Sequence, residues 1–150
     1  MFLGEFTHAI DEKNRVVIPS KFRTFITDAQ DREGFFVIVS PKPEERCLRL
    51  FTMSGWRKVS EHLRDEAGKS EDPASTMRFF ASRGEFCPMD SQSRLLIPQK
   101  LLDYAGLKRE VIMIGNFEWI EIWNQDEYKS ETERLKGAPV DRNRALWPGK

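Results

Sequence analysis

The sequence predicts an α+β protein, mainly β, in which two copies of one small module form a pseudo-symmetric body. The strongest observation is a repeated string: residues 4–19 and 84–98 both contain Gly-Glu-Phe, then Asp-x-x-x-Arg, three apolar residues and a proline. The two copies differ by one residue in the spacing between the phenylalanine and the aspartate. The repeat is too long for a solenoid unit, so it favours two modules that share one core.

The first copy predicts a strand, a turn, a return strand, a helix and two further strands, over residues 6–10, 11–14, 15–18, 20–26, 35–39 and 47–51. In the turn, the Asp11 side chain is suited to accept from backbone N–H groups, and Asn14 tolerates a left-handed conformation. A proline opens the helix, whose apolar face is predicted to carry Phe22, Phe25 and Ile26.

The second copy predicts the same order of elements. A strand over 94–97 precedes a helix from Pro98 to Tyr104, for which Gly106 is the expected C-cap. The last two strands are predicted to form a tight hairpin with its turn at Gly115-Asn116. Three further helices are predicted from their capping residues, which are Thr52 or Ser54, Asp72 ahead of Pro73, and Asn124.

Composition and charge exclude several classes of function. The chain of 150 residues is 39% hydrophobic and 32% charged, with a formal net charge of +0, so DNA contact requires a local patch or many subunits. Cys47 and Cys87 form no CxxC pair and are expected to be buried, reduced thiols. His8 and His62 are isolated, so no metal or cofactor is predicted. No signal peptide, long apolar run or ligand motif is evident, which predicts a cytoplasmic protein without membrane or small-molecule partners.

No catalytic constellation is evident, and the sequence predicts a protein that is not an enzyme. The carboxylate pairs Glu5/Asp11 and Glu85/Asp90 could be posed as acid–base pairs, but paired carboxylates arise by chance in a charged chain. Glu121 is either a contact to another subunit or, by default, an exposed strand residue.

Cations around the first turn are the candidate DNA-binding residues. The planar fork of Arg15 can bond O6 and N7 of guanine, whereas Lys13, Lys21 and Arg23 are suited to phosphates. The alternative for Arg15 is a surface ion pair with Asp11, typically worth ~0–1 kcal/mol. The alternative for Lys21 and Arg23 is a solvated helix face.

These motifs resemble a known fold family. Asp-x-x-x-Arg, an apolar run, Ile-Pro and a short helix are similar to the AbrB/SpoVT-type swapped-hairpin barrel. The duplication, with its intervening helices and its Glu121-Ile122-Trp123 ending, resembles the MraZ family of bacterial transcriptional regulators. The resemblance implies two half-barrels fused into a double barrel with flanking helices. It divides the chain into a first repeat, connecting helices, a second repeat, and a C-terminal helix with a mobile tail, at residues 1–52, 53–80, 81–124 and 125–150.

The resemblance also implies partners. One partner is other copies of the same chain, which would form a closed ring. The other is double-stranded DNA that carries short direct repeats upstream of a division and cell-wall operon. The protein would then be associated with the nucleoid. The alternative is a protein-interaction module, antitoxin-like or a ring scaffold, that does not read an operator.

The family's Asp-x-x-x-Arg loop implies DNA contact by Arg15, with Lys13 and Asn14 beside it, and by Arg94, while Asp11 and Asp90 orient the turns. Relatives often hold glycine just before the arginine, where this chain has Asn14 and Ser93. Because serine tolerates a positive φ less well than asparagine, the second turn is expected to differ in shape from the first.

Overall fold

The computed structural model describes residues 1–137 and 145–146, so most of the predicted mobile tail lies outside the described residues. The strands are β1 (Phe2–Ala9), β2 (Arg15–Val17), β3 (Gly34–Val39), β4 (Cys47–Phe51), β5 (Gly84–Pro88), β6 (Arg94–Leu96), β7 (Glu110–Phe117) and β8 (Trp119–Asn124). The helices are α1 (Ser20–Arg23), α2 (Met53–Gly68), α3 (Pro73–Ala81), α4 (Gln99–Tyr104) and α5 (Gln125–Arg134).

Six strands form one antiparallel sheet in the order β1-β7-β8-β4-β3-β5. The strands β1, β3 and β4 of the first repeat correspond to β5, β7 and β8 of the second. Exchanging each strand with its counterpart gives the same order in reverse. The pseudo-two-fold axis therefore passes between β4 and β8. Each repeat also gives its first strand to the other, since β1 pairs with β7 and β5 pairs with β3. The sheet cannot form from one repeat alone.

The remaining two strands, β2 and β6, form a separate antiparallel ribbon, one strand from each repeat. Their inward residues, Val16 and Leu95, are fully buried in a core to which both repeats contribute. Ile18 and Ile97 continue the two strands into the same core. The ribbon is thus anchored by its apolar side, which leaves its other side facing outward.

Glycines allow the exchanged strands to lie close to their partners. Gly115 on β7 pairs with Gly4 on β1, and a Cβ on Gly115 would lie 2.7 Å from Cα of Leu3. In the other repeat, a Cβ on Gly34 would lie 2.9 Å from Cα of Pro88. No side chain fits at either position without moving the neighbouring backbone.

Two local predictions are wrong. Gly115-Asn116 is not the hairpin turn, because β7 continues along β1 past these residues and turns only at Phe117, with φ of 60°, and Glu118. The first helix ends at Arg23, which leaves Phe25 52% exposed although Phe22 and Ile26 are buried.

The predicted helix caps are confirmed. Thr52 accepts from Gly55 N, Asp72 from Ser75 N, and Asn124 from the backbone N–H groups of Asp126 and Glu127. Gly106 follows α4 with φ of +63°, as a C-terminal glycine should. The α2–α3 pair between the repeats packs against β3 and β5, and no counterpart of α3 follows the second repeat within the described residues.

Candidate nucleic-acid interface

The first turn is organised by the side chain of Asp11. Its Oδ1 accepts the backbone N–H groups of Lys13 and Arg15, both at 2.9 Å, and its Oδ2 accepts Nε of Arg15 at 2.8 Å. Asn14 closes the turn with φ of 62°. The carboxylate therefore fixes both the backbone of the turn and the direction of the arginine side chain.

The second turn has the same shape, so the prediction that it differs is wrong. Oδ1 of Asp90 accepts from Gln92 N at 2.9 Å and Arg94 N at 3.0 Å, and Oδ2 accepts Nε of Arg94 at 2.8 Å. Ser93 adopts φ of 60°. The aspartate bonds and the bond from Ser93 N to the Asp90 carbonyl hold serine in a conformation that it adopts only rarely by itself.

Both turn aspartates are held in the ionised form. The backbone N–H of the following arginine, four residues on, is the main cause that lowers the pKa of Asp11 and of Asp90 below the ordinary value of 3.8. Of the three guanidinium nitrogens of its arginine, each aspartate binds only Nε. In the described part of the chain, the Nη groups of Arg15 and Arg94 have no hydrogen-bond partner.

The outward side of the ribbon brings the two arginines onto one surface. Arg15 lies across from Leu96 and Arg94 lies across from Val17, so the arginines occupy diagonal corners. On the same side, Val17 is 41% exposed and Leu96 is 45% exposed. We call these four residues the ribbon face. It combines two cationic forks with two apolar side chains.

The remaining predicted cations do not all lie together. Because the ribbon is antiparallel, α1 begins beside the second turn, where Ile18 N donates to the Ser93 carbonyl at 2.9 Å. Lys21 and Arg23 on this helix therefore lie at the opposite end of the ribbon from Lys13. The Lys21 ammonium is 5.9 Å from the centroid of the Phe6 ring. Nε of Arg23 donates to the Ile18 carbonyl at 3.2 Å.

The first turn instead meets the start of α4, from the other repeat. Ile97 N donates to the Asn14 carbonyl at 2.9 Å, and Asn14 Nδ2 donates to Gln99 Oε1 at 3.1 Å. Asn14 is thus engaged with the second repeat. Sequence order alone does not reveal this, because the partners are 85 residues apart.

Glu121 is buried, so the expectation of an exposed strand residue is wrong. Its two carboxylate oxygens accept the indole N–H groups of Trp119 and Trp123, both at 2.9 Å, and Nδ2 of Asn116 at 3.1 Å. Nε of Arg49 lies 4.0 Å away and has no hydrogen-bond partner. The neighbouring tryptophans were a signal in the sequence, since a buried indole N–H requires an acceptor.

No further chemistry is visible in the described residues. They contain no group of three or more His, Cys, Asp or Glu side chains able to hold a metal ion. None of the described helices is long and apolar enough to cross a membrane. Cys47 and Cys87 are free and buried, as expected. Burial raises the pKa of both thiols, that of Cys87 to about 12.

The exchanged strands, the ribbon and its paired Asp-to-Arg turns define a swapped-hairpin double barrel of the AbrB/SpoVT type. The family model of the MraZ protein, which its description also calls antitoxin-like, matches the chain twice, over residues 1–80 and 79–145. This chain belongs to the MraZ family.

Relatives named "Transcriptional regulator MraZ" are similar over most of their length. The protein of Natranaerobius thermophilus is 34% identical over 136 residues, which are 89% of this chain and 90% of that protein. That of Clostridium acetobutylicum is 35% identical, covering 95% and 92% respectively. The solution structure of PHS018 from Pyrococcus horikoshii matches 81% of this chain and 88% of its own, at 18% identity and a TM-score of 0.36.

Proposed function

We propose that this protein is a transcriptional regulator that binds DNA in a sequence-specific manner through the ribbon face. The observation that carries the proposal is the pair of arginines at diagonal corners of a two-stranded ribbon, each oriented by its own aspartate. A two-stranded β-ribbon fits the major groove of B-DNA, where every base pair presents a distinct pattern. The relatives' name, transcriptional regulator, supports the same class of function.

Each part of the ribbon face suits one kind of DNA contact. The free Nη groups of Arg15 can bond the acceptors of a guanine, an interaction worth about 1–3 kcal/mol of discrimination. The exposed methyl groups of Val17 and Leu96 suit contact with the thymine methyl group. Lys13, at the tip of the first turn, suits a phosphate. Arg94 has the same geometry in a turn that has no lysine at its tip.

Assembly of several chains supplies the affinity that one neutral chain lacks. The formal net charge of +0 gives little attraction of the whole chain to DNA. An oligomer that presents the ribbon face at regular intervals gains from effective concentration when the DNA repeats match its spacing. A closed ring on short direct repeats upstream of its own division and cell-wall operon, within the nucleoid, is the form of this proposal that the family resemblance favours.

Selection of bound duplexes from a random pool tests the proposal and yields the preferred DNA sequence. The wild-type protein is incubated with a randomised duplex library, and the enriched sequence is compared with a scrambled duplex by fluorescence anisotropy. We expect Arg15→Ala to lose the preference for the enriched duplex while it retains its oligomeric state. Arg57→Ala removes an exposed arginine of α2 instead and should retain the preference. A folded Arg15→Ala variant that discriminates like the wild type would refute the assignment.

A second candidate function is a module that binds a partner protein. It is favoured by an apolar groove of about 410 Å³ between α2, α3 and the sheet, lined by side chains that include Trp56, Leu63 and Phe80. Pull-down from a lysate with and without nuclease separates the two functions. A stoichiometric protein partner, together with no enrichment of any duplex, would favour the protein-binding module.

A further inference from the structure

A second pair of cations, from the other repeat, flanks the first turn. The segment between α4 and β7 passes beside this turn, and Ile10 N donates to the Arg109 carbonyl at 2.7 Å. Nη2 of Arg109 lies 3.9 Å from Oε1 of Glu12, and both of these side chains are mostly exposed. Lys108, one residue earlier, is also exposed. Both cations are distant from the turn in the sequence but adjacent to it in the fold.

The cations surround open depressions in the surface. One depression, of about 390 Å³, is lined by Lys13, Arg15 and Arg109 together with the two carboxylates of the turn. A neighbouring one, of about 210 Å³, is lined by residues that include Asn14, Lys108, Arg109 and the same two carboxylates. Arg109 therefore borders both, beside the arginine that we propose reads a base. An anion bound here would lie next to the ribbon face.

The equivalent position beside the second turn carries a different charge. There, Met89 N donates to the Glu33 carbonyl at 2.8 Å, so Arg32-Glu33 corresponds to Lys108-Arg109. The turn tips do not differ in net charge, since Gln92 and Ser91 stand where the first turn has Lys13 and Glu12, so the difference arises from the flanking pair. The two turns have the same backbone shape, but the surroundings of the first are more cationic.

We infer that Lys108 and Arg109 bind phosphates of duplex DNA beside the first turn, so that the DNA site is assembled from both repeats. This inference rests on the proposed function and deepens it. Phosphate contacts fix the register of a protein on the duplex, and base contacts then specify the sequence. The long, exposed Arg109–Glu12 pair is readily replaced by a charge-assisted bond from Arg109 to phosphate. The second turn, with Glu33 beside it, contributes less.

The salt dependence of binding gives the expected magnitude. Each phosphate contact contributes about 0.9 to the slope of log K against log salt concentration. Loss of two contacts therefore lowers the slope by about 2 for each protomer bound. Between about 50 and 200 mM salt, the wild type should lose about 12-fold more affinity per bound protomer than a variant that lacks both contacts.

The test compares Lys108→Gln/Arg109→Gln with wild type on the selected duplex and on the scrambled duplex. Because phosphate contacts carry no sequence information, we expect affinity to fall by the same factor on both duplexes, and Lys108→Gln alone to give about half the change in slope. The matched control is Arg32→Gln, an exposed cation at the equivalent position of the other repeat, which should leave the slope unchanged. All of these variants are compared with the wild type by elution volume and unfolding midpoint.

Two results overturn the inference while the proposed function stands. The double variant could keep the wild-type slope while Arg15→Ala still loses sequence preference, or Arg32→Gln could lower the slope as much as the double variant does. If wild-type protein binds no duplex at low salt, the proposed function itself fails and this inference fails with it.

Discussion

Substitution Glu121→Gln tests the buried polar cluster behind β8. In the wild type, Oε1 accepts from Trp123, and Oε2 accepts from both Trp119 and Asn116. Glutamine has only one acceptor oxygen. If that oxygen faces Trp119 and Asn116, two hydrogen bonds are retained, but the amide N–H group then faces the indole N–H of Trp123. One buried donor then lacks an acceptor, at a cost of about 1–3 kcal/mol, and the two remaining bonds lose the assistance of a negative charge. The expected total is about 3 kcal/mol.

Urea unfolding followed by tryptophan fluorescence measures this effect, because two of the indoles belong to the cluster. In thermal unfolding of a chain of this size, a loss of about 3 kcal/mol in unfolding free energy corresponds to a fall of roughly 6–12 °C in Tm. Glu133→Gln is the control, since Glu133 is exposed and, among the residues that the structure describes, pairs with Lys136 across one helical turn. Protein concentration is kept constant because assembly contributes to apparent stability. The reasoning is refuted if Glu121→Gln lowers the urea midpoint of unfolding no more than Glu133→Gln does.

Three further predictions concern the sheet, the thiols and the turns. Gly115→Ala should destabilise the fold by about 1–3 kcal/mol in urea unfolding, because its Cβ meets the backbone of Leu3, whereas Gly68→Ala meets nothing within 4 Å and should not destabilise. Cys47 and Cys87 should react with a thiol reagent at pH 8 only after unfolding, since both are buried and have raised pKa values; rapid reaction of the native protein would contradict this. The turn aspartates have lowered pKa values, so their contribution to stability is present above about pH 4 and is lost as the pH falls through the lowered values. With both aspartates converted to asparagine, the unfolding midpoint should decrease less steeply as the pH falls below 4. An equally steep decrease would contradict the assignment of this pH dependence to Asp11 and Asp90.

Local sequence predicted the elements of the fold because the information lay within each element. The repeated string predicted the duplication, and capping residues predicted where α2, α3 and α5 begin. The hairpin turn was misplaced because Gly115 serves close strand packing instead of a turn. Propensity cannot separate these two uses of glycine, since the deciding contact comes from the distant strand β1.

The candidate site was only partly predictable for the same reason. Asp11 and Arg15 are close in sequence, so their pairing follows from the motif. The positions of Lys108 and Arg109 depend on the exchange of strands between repeats, which no local pattern encodes. At Ser93 a local preference was misleading, because the hydrogen bonds that Asp90 accepts from the turn backbone override the usual preference of serine for a negative φ.

The most direct test of the central claim is a double-mutant cycle between Arg15 and a guanine of the selected duplex. Replacing that guanine with 7-deazaguanine removes the N7 acceptor and leaves the rest of the base pair unchanged. If Arg15 reads the base, wild-type protein should bind the modified duplex about 5-fold or more weakly, corresponding to at least about 1 kcal/mol, while Arg15→Ala should bind both duplexes equally. If substitution of every guanine in turn lowers the affinity of the wild type and of Arg15→Ala by the same factor, Arg15 does not read the sequence.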